Sequence, residues 1–236
     1  MSSVVLHKTQ VSILHSLRYA PSARFNTLMR PTGHTSDTFK FHLRKLLSQG
    51  LVEKTSAGTY VLTAKGKEFA NNLDEQQRME QKQPKLSVLI VAPRTDADGR
   101  TSYLLQKRAR NPYLGYWNEI TGPVRWGDSF EDAAAKVLLK QTGLQADFRV
   151  RGMRRIRDYA ADSNALLEDK VFVIIEATKL YGELQNKYAG GTNDWLTLAE
   201  LTAQEKYFAS TPAIVGDLAE DSWYATQDIR YQKGDY

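Results

Sequence analysis

The feature that most constrains the fold is a polar stretch about a third of the way along the chain, NNLDEQQRMEQKQPK, from Asn71 to Lys85. It contains few apolar residues, so a hydrophobic core is not expected to continue through it. Pro84 also disfavours helix at the residue before it. We therefore predict an exposed helix or helical linker here, at the boundary between two separately folded parts.

A chain of 236 residues is long enough for two small domains with real cores. The predicted division places a first domain at residues 1–80, a linker at 81–85 and a second domain at 86–215. The remaining residues, 216–236, are acidic and aromatic. They are expected to form a tail that is either docked or disordered.

Composition excludes several classes of protein. The absence of cysteine rules out disulfides, thiolate zinc sites and cysteine nucleophiles. The four histidines are scattered along the sequence, so a zinc site is not predicted either. The longest mostly apolar run, LSVLIVA from Leu86 to Ala92, is too short to span a bilayer, and no signal segment opens the chain. We therefore expect a cytoplasmic protein that does not contact membranes.

Charge is unevenly distributed between the two parts. Residues 1–65 contain nine Lys/Arg against only Asp37 and Glu53, which is 9 − 2 = +7. Residues 84–236 contain twenty against twenty-one and are nearly neutral. Such asymmetry is expected when one module binds nucleic acid and the other does not. The alternative is a solvated basic face without a partner.

The first part is predicted to contain three helices and a hairpin. HKTQVSILHSLRYA places Val11, Leu14 and Leu17 at helical spacing before Pro21, and a short helix is expected near Ala23–Met29. HTSDTFKFHLRKLLSQG then opens with residues that suit an N-cap and closes on a glycine that suits the C-terminal end. One apolar stripe along this third helix faces a core, formed by Phe39, Leu43, Leu46 and Leu47.

The opposite side of the third helix carries an aromatic residue among cations. A soluble helix seldom exposes such a set unless a partner lies there. After the helix, LVEK, a TSAG turn and TYVLT predict two short strands around a glycine turn. This order, over residues 5–80, resembles the α+β winged helix-turn-helix domains of bacterial regulators.

In that family the third helix enters the major groove and the hairpin lies along the phosphates. The resemblance therefore implies DNA contacts from the helix, by Ser36, Asp37, Lys40, Phe41, Arg44 and Lys45. It also implies contacts near the hairpin, by Lys54, Ser56 and Lys65. Winged helices serve as protein-interaction modules too, and that alternative stays open.

The second part alternates strands and helices, beginning with KLSVLIVAPRTDADGRTSYLLQKRARNPYLGYWNEITG. A helix follows, and FRVRGMRRIRDYA, KVFVIIEATK and GTNDWLTLAEL supply further strands and a last helix. The alternating arginines of RVRGMRRIRDY indicate an exposed strand edge. From about Lys85 to Pro212 this order resembles the Nudix fold, an α/β/α sandwich. The closest match is LLQKRARNPYLGYWNEITGPVRWGDSFEDAAAKVLLKQTGL.

The Nudix signature reads G, five residues, E, seven residues, then R-E-aliphatic-x-E-E-x-G-aliphatic, and its glutamates bind magnesium in that family. Here Gly122 matches the first glycine, Asp128 stands for the first acid, and Gly143 and Leu144 match the end. Lys136 replaces the arginine. The three glutamate positions of the helix are held by Val137, Lys140 and Gln141.

Those three positions lie on one face of the helix. Valine offers no ligand atom, glutamine offers a neutral carbonyl at best, and a lysine ammonium repels a metal cation. The structural signals of the helix remain, with Ser129 and Asp132 as a capping-box-like start and Gly143 as the stop. We therefore predict a domain that holds a ligand without cleaving it, with no catalytic residue, no metal site and no cofactor.

A ligand pocket is expected, by analogy with the fold, near the loops at 113–126. Tyr113, Trp117 and Trp126 are candidates to stack on a base, and Arg125 to bind a phosphate. For each aromatic the alternative is packing within the sandwich. A second open alternative is a magnesium-dependent hydrolase that uses a different set of acids. The candidates for that set are Glu119, Asp128, Glu131, Asp132, Glu168 and Asp169.

Together these features predict a transcriptional regulator: a winged helix binds double-stranded DNA and a catalytically inactive Nudix-like domain senses a nucleotide-like small molecule. DNA reading of this kind commonly implies a homodimer. The combination resembles the Nudix-related regulators of NAD metabolism, although those place the Nudix part first. The alternatives are a hydrolase of nucleoside diphosphate derivatives and a protein-interaction scaffold.

Overall fold

The chain forms two compact units, residues 1–83 and 84–236. The computed structural model describes residues 5–74, 79–220, 222–232 and 234–236. In the described part, no helix is both long and apolar enough to cross a membrane.

The first unit contains the predicted helices followed by a short antiparallel hairpin. A 3-10 turn at Arg30–Thr32 separates its second and third helices. The elements in chain order are α1 (Lys8–Arg18), α2 (Phe25–Met29), α3 (Ser36–Ser48), β1 (Val52–Lys54), β2 (Tyr60–Leu62) and α4 (Ala64–Asn71).

The apolar stripes of α1 and α3 meet in the core of this unit. Ile13 and Leu14 of α1 and Phe39 and Leu46 of α3 are fully buried in one cluster. The rings of Phe25 and Phe39 pack edge to face with centroids 5.0 Å apart. The apolar residues whose spacing predicted these helices are therefore the residues that the core buries. The polar side of α3 is left exposed.

The predicted helical linker is not a continuation of α4. That helix ends at Asn71, and a two-residue strand β3 (Leu73–Asp74) pairs antiparallel with β4 (Met79–Glu80). Residues 75–78 of the predicted linker lie outside the described residues. A polar segment without an apolar stripe gains little from tertiary packing as a helix, which accounts for the difference.

The second unit is built from both strands and helices. The elements in chain order are β5 (Lys85–Val91), β6 (Pro93–Thr95), β7 (Thr101–Arg108), β8 (Trp117–Pro123), α5 (Phe130–Thr142), β9 (Gln145–Ala160), β10 (Leu166–Tyr181), β11 (Lys187–Tyr188), β12 (Gly191–Leu196), α6 (Leu198–Thr202), α7 (Ser210–Ala219) and β13 (Tyr224–Tyr231).

The strands form a nine-stranded mixed sheet with the order β11-β12-β7-β8-β5-β10-β9-β13, with β6 beside β7. Two neighbouring pairs run parallel, β5 with β10 and β9 with β13.

Helices cover both faces of this sheet, as predicted for the α/β part of the chain. On one face Leu138 of α5 is fully buried in a cluster with Ile90 and Ile120. On the other face Ile214 of α7 is buried with Leu89 and Phe172. Alternate residues of the central strand β5 thus enter different cores, because successive side chains of a strand point to opposite faces.

The segment at 216–236 adds to the sheet instead of hanging free. It includes the end of α7 and the strand β13, which pairs in parallel with β9 from Tyr224 opposite Met153 to Tyr231 opposite Ala160. Of the two alternatives for this tail, the described residues show the docked one. Residues 221 and 233 lie outside the description.

The arginine-rich strand β9 is not an exposed edge, so that prediction is wrong. It lies between β10 and β13, because the C-terminal strand supplies the outer edge. Four of its five arginines meet carboxylates on neighbouring elements: the nitrogen–oxygen distances are 2.7 Å for Arg151–Glu176, 2.7 Å for Arg155–Asp169 and 2.8 Å for Arg157–Asp228, and Arg154 pairs with Asp217.

Candidate ligand-binding site

The helix α5 keeps the structural parts of the signature. The Ser129 hydroxyl oxygen accepts a hydrogen bond from the Asp132 backbone amide at 3.1 Å, which caps the start of the helix. Gly143, with φ +74°, ends it in the left-handed conformation that glycine adopts without strain. The Ser129 cap and the Gly143 stop predicted from the sequence are therefore present in the structure.

The three positions where the signature has glutamate are used for packing or left in solvent. Val137 packs against Gly122, where an added Cβ would overlap its methyl groups. The Gln141 side chain is buried, and its Nε2 donates to the Thr121 carbonyl oxygen at 2.8 Å. Lys140 is exposed. Magnesium requires several oxygen ligands, mainly carboxylate, substrate and water, and these residues do not fit it.

Of the six acids proposed for an alternative metal site, Glu119 and Glu168 line one cavity, and the other four lie outside it. Asp128 forms an ion pair with Lys136 at 2.7 Å, and Asp169 forms one with Arg155. Glu131 and Asp132 are exposed in the first turn of α5. Across the residues that the structure describes, no group of three or more His, Cys, Asp or Glu side chains is placed to hold a metal ion.

A cavity of about 320 Å³ opens on the α7 face of the sheet, beside the loop between β7 and β8. Its floor is apolar and includes Leu89, Ile156 and Phe172, one each from β5, β9 and β10. Seven charged residues contribute to its walls: Lys85, Arg108, Arg110, Glu119, Asp158, Glu168 and Lys170. Apolar floor and charged walls together suit a ligand with a flat apolar part and charged substituents.

One wall is organised around Asp158, which is fully buried. Its Oδ2 accepts hydrogen bonds from the Tyr113 hydroxyl and from the Lys170 ammonium, each at 2.5 Å. Tyr113 adopts φ +65°, a left-handed conformation that is uncommon for residues other than glycine. Burial, and then the hydrogen bond to Asp158, raise the pKa of Tyr113. The phenol therefore remains a hydrogen-bond donor at neutral pH.

A second buried acid, Glu119, lies in the wall contributed by β8. Its Oε2 accepts from the Thr211 hydroxyl at 2.8 Å, while its Oε1 has no hydrogen-bond partner among the described residues. Burial raises the pKa of Glu119, because removing a carboxylate from water disfavours its charged form. This wall is consequently less negative than the count of acids suggests.

The remaining charges lie toward the mouth. Lys85 Nζ is 2.6 Å from a Glu168 carboxylate oxygen, and the Tyr236 hydroxyl donates to the same carboxylate at 3.1 Å. Burial opposes the ionisation of Glu168, but the hydrogen bond from Lys85 holds its pKa below the ordinary value. The Arg108 guanidinium donates to the Pro112 carbonyl oxygen at 2.9 and 3.1 Å, which orders the loop that carries Tyr113.

The cavity includes one of the four residues predicted to bind a ligand, Tyr113. Trp117 packs instead with Leu105 and Leu201 on the α6 side of the sheet. Trp126 is fully exposed and Arg125 is exposed beside it, so neither lines the cavity. Sequence reasoning missed Glu119, Asp158 and Lys170 as one group, because they lie on three strands that are far apart along the chain.

The residues predicted to face DNA lie mainly on one exposed side of α3. All six helix residues predicted to face DNA are exposed: Ser36, Asp37, Lys40, Phe41, Arg44 and Lys45. Phe41 is 63% exposed, and Lys40 pairs with Asp37 at 3.3 Å. Near the hairpin, Lys54 and Ser56 are exposed, and Lys65 Nζ donates to the Gln49 carbonyl oxygen at 2.9 Å, at the end of α3.

Three of the four histidines converge in the first unit, which their sequence separation did not indicate. The rings of His7, His34 and His42 have centroid separations of 4.1 to 6.2 Å. Their separation along the sequence therefore does not keep these three rings apart in the fold. Among the described residues their arrangement is not one that could hold a metal ion.

A mixed sheet between helices, with a cavity on one face and a capped helix after the loop that follows Gly122, defines the second unit as an α/β sandwich of the Nudix type. A family model described as NUDIX domain matches residues 84–215, more than half of the 236 residues. The chain therefore belongs to the NUDIX family.

Solved structures are similar to this unit. The MutT protein of Bacillus halodurans is 17% identical with a TM-score of 0.50, and the match covers 64% of this chain and 93% of that chain. The NUDIX domain of Shewanella oneidensis NrtR, solved with ADP ribose, is 21% identical with a TM-score of 0.47, covering 65% and 96%. No curated protein matches the chain. At 17% identity the likeness to the Bacillus halodurans protein shows the fold alone.

Proposed function

We propose that this protein is a DNA-binding transcriptional regulator whose Nudix-type domain binds a nucleotide-like ligand without cleaving it. The observation that carries the proposal is the replacement of the signature carboxylates by Val137, Lys140 and Gln141 on a helix that is otherwise intact. A helix that keeps its caps and its core face but lacks metal ligands supports binding rather than hydrolysis.

The DNA-binding half of the proposal rests on the first unit. Its order of three helices and a hairpin suits a winged helix, and α3 presents Phe41 among cations on its exposed side. In this assignment Lys40 and Lys45 contribute affinity through counterion release. Base edges are read by Asp37 and Arg44. The exposed side of α3 is the surface that enters the major groove, and a homodimer would place two such helices on one operator.

The ligand-binding half rests on the cavity of the second unit. Tyr113, Phe172 and Phe208 line it and suit a flat base, whereas Arg108 and Arg110 suit a phosphate. The low charge of the Glu119 wall also favours an anionic ligand over a cationic one. A nucleotide-like molecule combines these two features.

A mobility-shift assay on duplex DNA from upstream of the protein's own gene tests the first half. Lys40→Glu and Arg44→Glu should each weaken binding about tenfold or more, because each places an anion against the phosphates. Lys187→Glu is the matched control, since Lys187 is exposed in the second unit and its reversal changes the net charge equally. Undiminished binding by both α3 variants would reject the assigned surface.

Nucleotide binding tests the second half. All four tryptophans, at 117, 126, 195 and 223, belong to the second unit, so tryptophan fluorescence reports unfolding of that unit. We expect a nucleotide to raise its unfolding midpoint while no product forms in the presence of magnesium. Turnover would favour the hydrolase, and the absence of both nucleotide and DNA binding would favour the scaffold.

A further inference from the structure

We propose that His7, His34 and His42 form a pH-sensitive latch that holds the start of α1 against α3 in the first unit and releases it on acidification. The latch concerns the packing of this unit, and only its effect on DNA affinity rests on the proposed function. Its components come from three places: the residue before α1, the segment before α3, and the middle of α3.

The rings form a compact cluster. His7 and His42 stack with centroids 4.1 Å apart and planes inclined by 15°. The centroid of the His34 ring lies 6.1 Å from the centroid of His42 and 6.2 Å from that of His7. Stacking at this distance suits two neutral imidazoles, whereas two imidazolium cations so close would repel each other.

Thr9 connects two of the rings through hydrogen bonds that define their protonation. His7 Nδ1 accepts from the Thr9 backbone amide at 3.2 Å and lies 3.0 Å from the Thr9 hydroxyl oxygen. That nitrogen must therefore carry a lone pair. The same hydroxyl oxygen lies 2.7 Å from His34 Nε2, so Thr9 bridges the two rings. Because His7 Nδ1 accepts from the Thr9 amide, this arrangement requires a neutral His7.

The neutral His7 also caps α1. Its side chain accepts at the helix start, and the Gln10 side chain accepts in return from the His7 backbone amide at 2.9 Å. A proton on Nδ1 would remove the capping acceptor and place a positive charge at the positive end of the helix dipole. Both effects disfavour α1 in its present position.

His42 is 8% exposed, and its Nδ1 has no hydrogen-bond partner among the described residues. The titratable or charged groups that face it are His7 from the start of α1, His34 from the preceding segment, and Lys45 from α3 itself. Burial first, and then these three groups, lower the pKa of His42. Of the two acids before residue 66, Asp37 pairs with Lys40 and Glu53 lies exposed on β1.

The sign of the effect follows from proton binding. The pKa of His42 in the folded unit lies below the unfolded value, which is about 6.5. The unfolded chain therefore binds more protons, and stability is lost as the pH falls through about 6.5 and below. The Phe41 and His42 ring centroids are 5.3 Å apart, so release of the cluster also disturbs the side of α3 assigned to DNA.

The test is the stability of the first unit in the full chain at pH 7.5 and pH 5.5. All four histidines belong to that unit, so their ring proton signals report its folded and unfolded populations during urea titration. Tryptophan fluorescence follows the second unit as an internal reference. Wild type should lose about tenfold in the folded-to-unfolded ratio of the first unit over this interval, which is the limit for one buried imidazole, that of His42.

Two variants should reduce that loss to about threefold or less, each by a different route. His42→Phe keeps an aromatic ring in the stack without a titrating group, and His7→Asn keeps a capping acceptor at every pH. His15→Phe is the matched control, because the His15 ring contacts Tyr19 at 4.9 Å outside the cluster, and it should behave as wild type.

Equal pH dependence in wild type and both cluster variants would overturn the latch. If one variant fails to fold, the other decides the question in the same way. DNA affinity measured at the two pH values should fall with acid in wild type and less in the variants. A chain that binds no DNA at either pH would contradict the proposed function, while the latch would still be judged by the folding data.

Discussion

Gln141→Glu restores a family glutamate at one position of α5, and we expect it to destabilise the second unit at neutral pH. The Gln141 side chain is 7% exposed and its Nε2 donates to the Thr121 carbonyl oxygen at 2.8 Å. A carboxylate there cannot donate, so it leaves two oxygens facing each other. The lost hydrogen bond contributes about 1 kcal/mol, and the unpaired group adds about 1–2 kcal/mol.

The expected cost is therefore about 2–3 kcal/mol at pH 7.5, measured by urea unfolding followed through tryptophan fluorescence. Gln141→Met is the matched control, because it removes the donor without adding charge and should cost less. The introduced carboxyl should have a raised pKa in the folded state, since burial and the facing carbonyl oxygen favour its protonated form. The variant's deficit should consequently appear as the pH rises above about 4.3, and it should shrink below that value, where the carboxyl can donate.

Two results would refute this reasoning. The first is a variant as stable as wild type at pH 7.5, which would mean that the hydrogen bond to Thr121 contributes nothing. The second is stabilisation of wild type by magnesium, by about 1 kcal/mol or more in the same assay. That result would show that the second unit binds the ion despite the loss of the signature carboxylates at 137, 140 and 141, and it would favour the hydrolase.

The other predictions concern the cavity and the sheet. Glu119→Gln keeps an acceptor for Thr211 but cannot ionise. Because burial raises the pKa of Glu119 in the folded state, wild type should lose stability as the pH rises through that folded-state pKa. The variant should therefore be more stable than wild type at pH 8, measured by urea unfolding. Gly152→Ala should cost about 1–3 kcal/mol and shift Trp223 fluorescence, because the new Cβ would lie 2.5 Å from the Trp223 carbonyl oxygen. Its control, Gly216→Ala in α7, meets no atom within 4 Å and should be neutral or stabilising by up to about 1 kcal/mol.

The local patterns of the sequence predicted most helices well. The stripe of Phe39, Leu43 and Leu46 placed α3, and the cap at Ser129 with the stop at Gly143 placed α5. Such features depend on residues three or four positions apart, which helix geometry brings together in any tertiary context. The prediction of a helical linker is wrong because residues 71–85 have no apolar stripe. Without that stripe, local signals do not distinguish a helix from the short strand pair β3–β4.

What the sequence alone determined is the chemistry missing from α5, because the residue types at 137, 140 and 141 exclude carboxylate ligands in any fold. Only the tertiary structure decided which groups meet. The sheet order β8-β5-β10-β9 brings Glu119, Lys170 and Asp158 to one cavity, and the packing of α1 on α3 brings His7 to His42. The physical reason is that strand register and helix docking depend on burial over the whole core, and no short window of sequence records that sum.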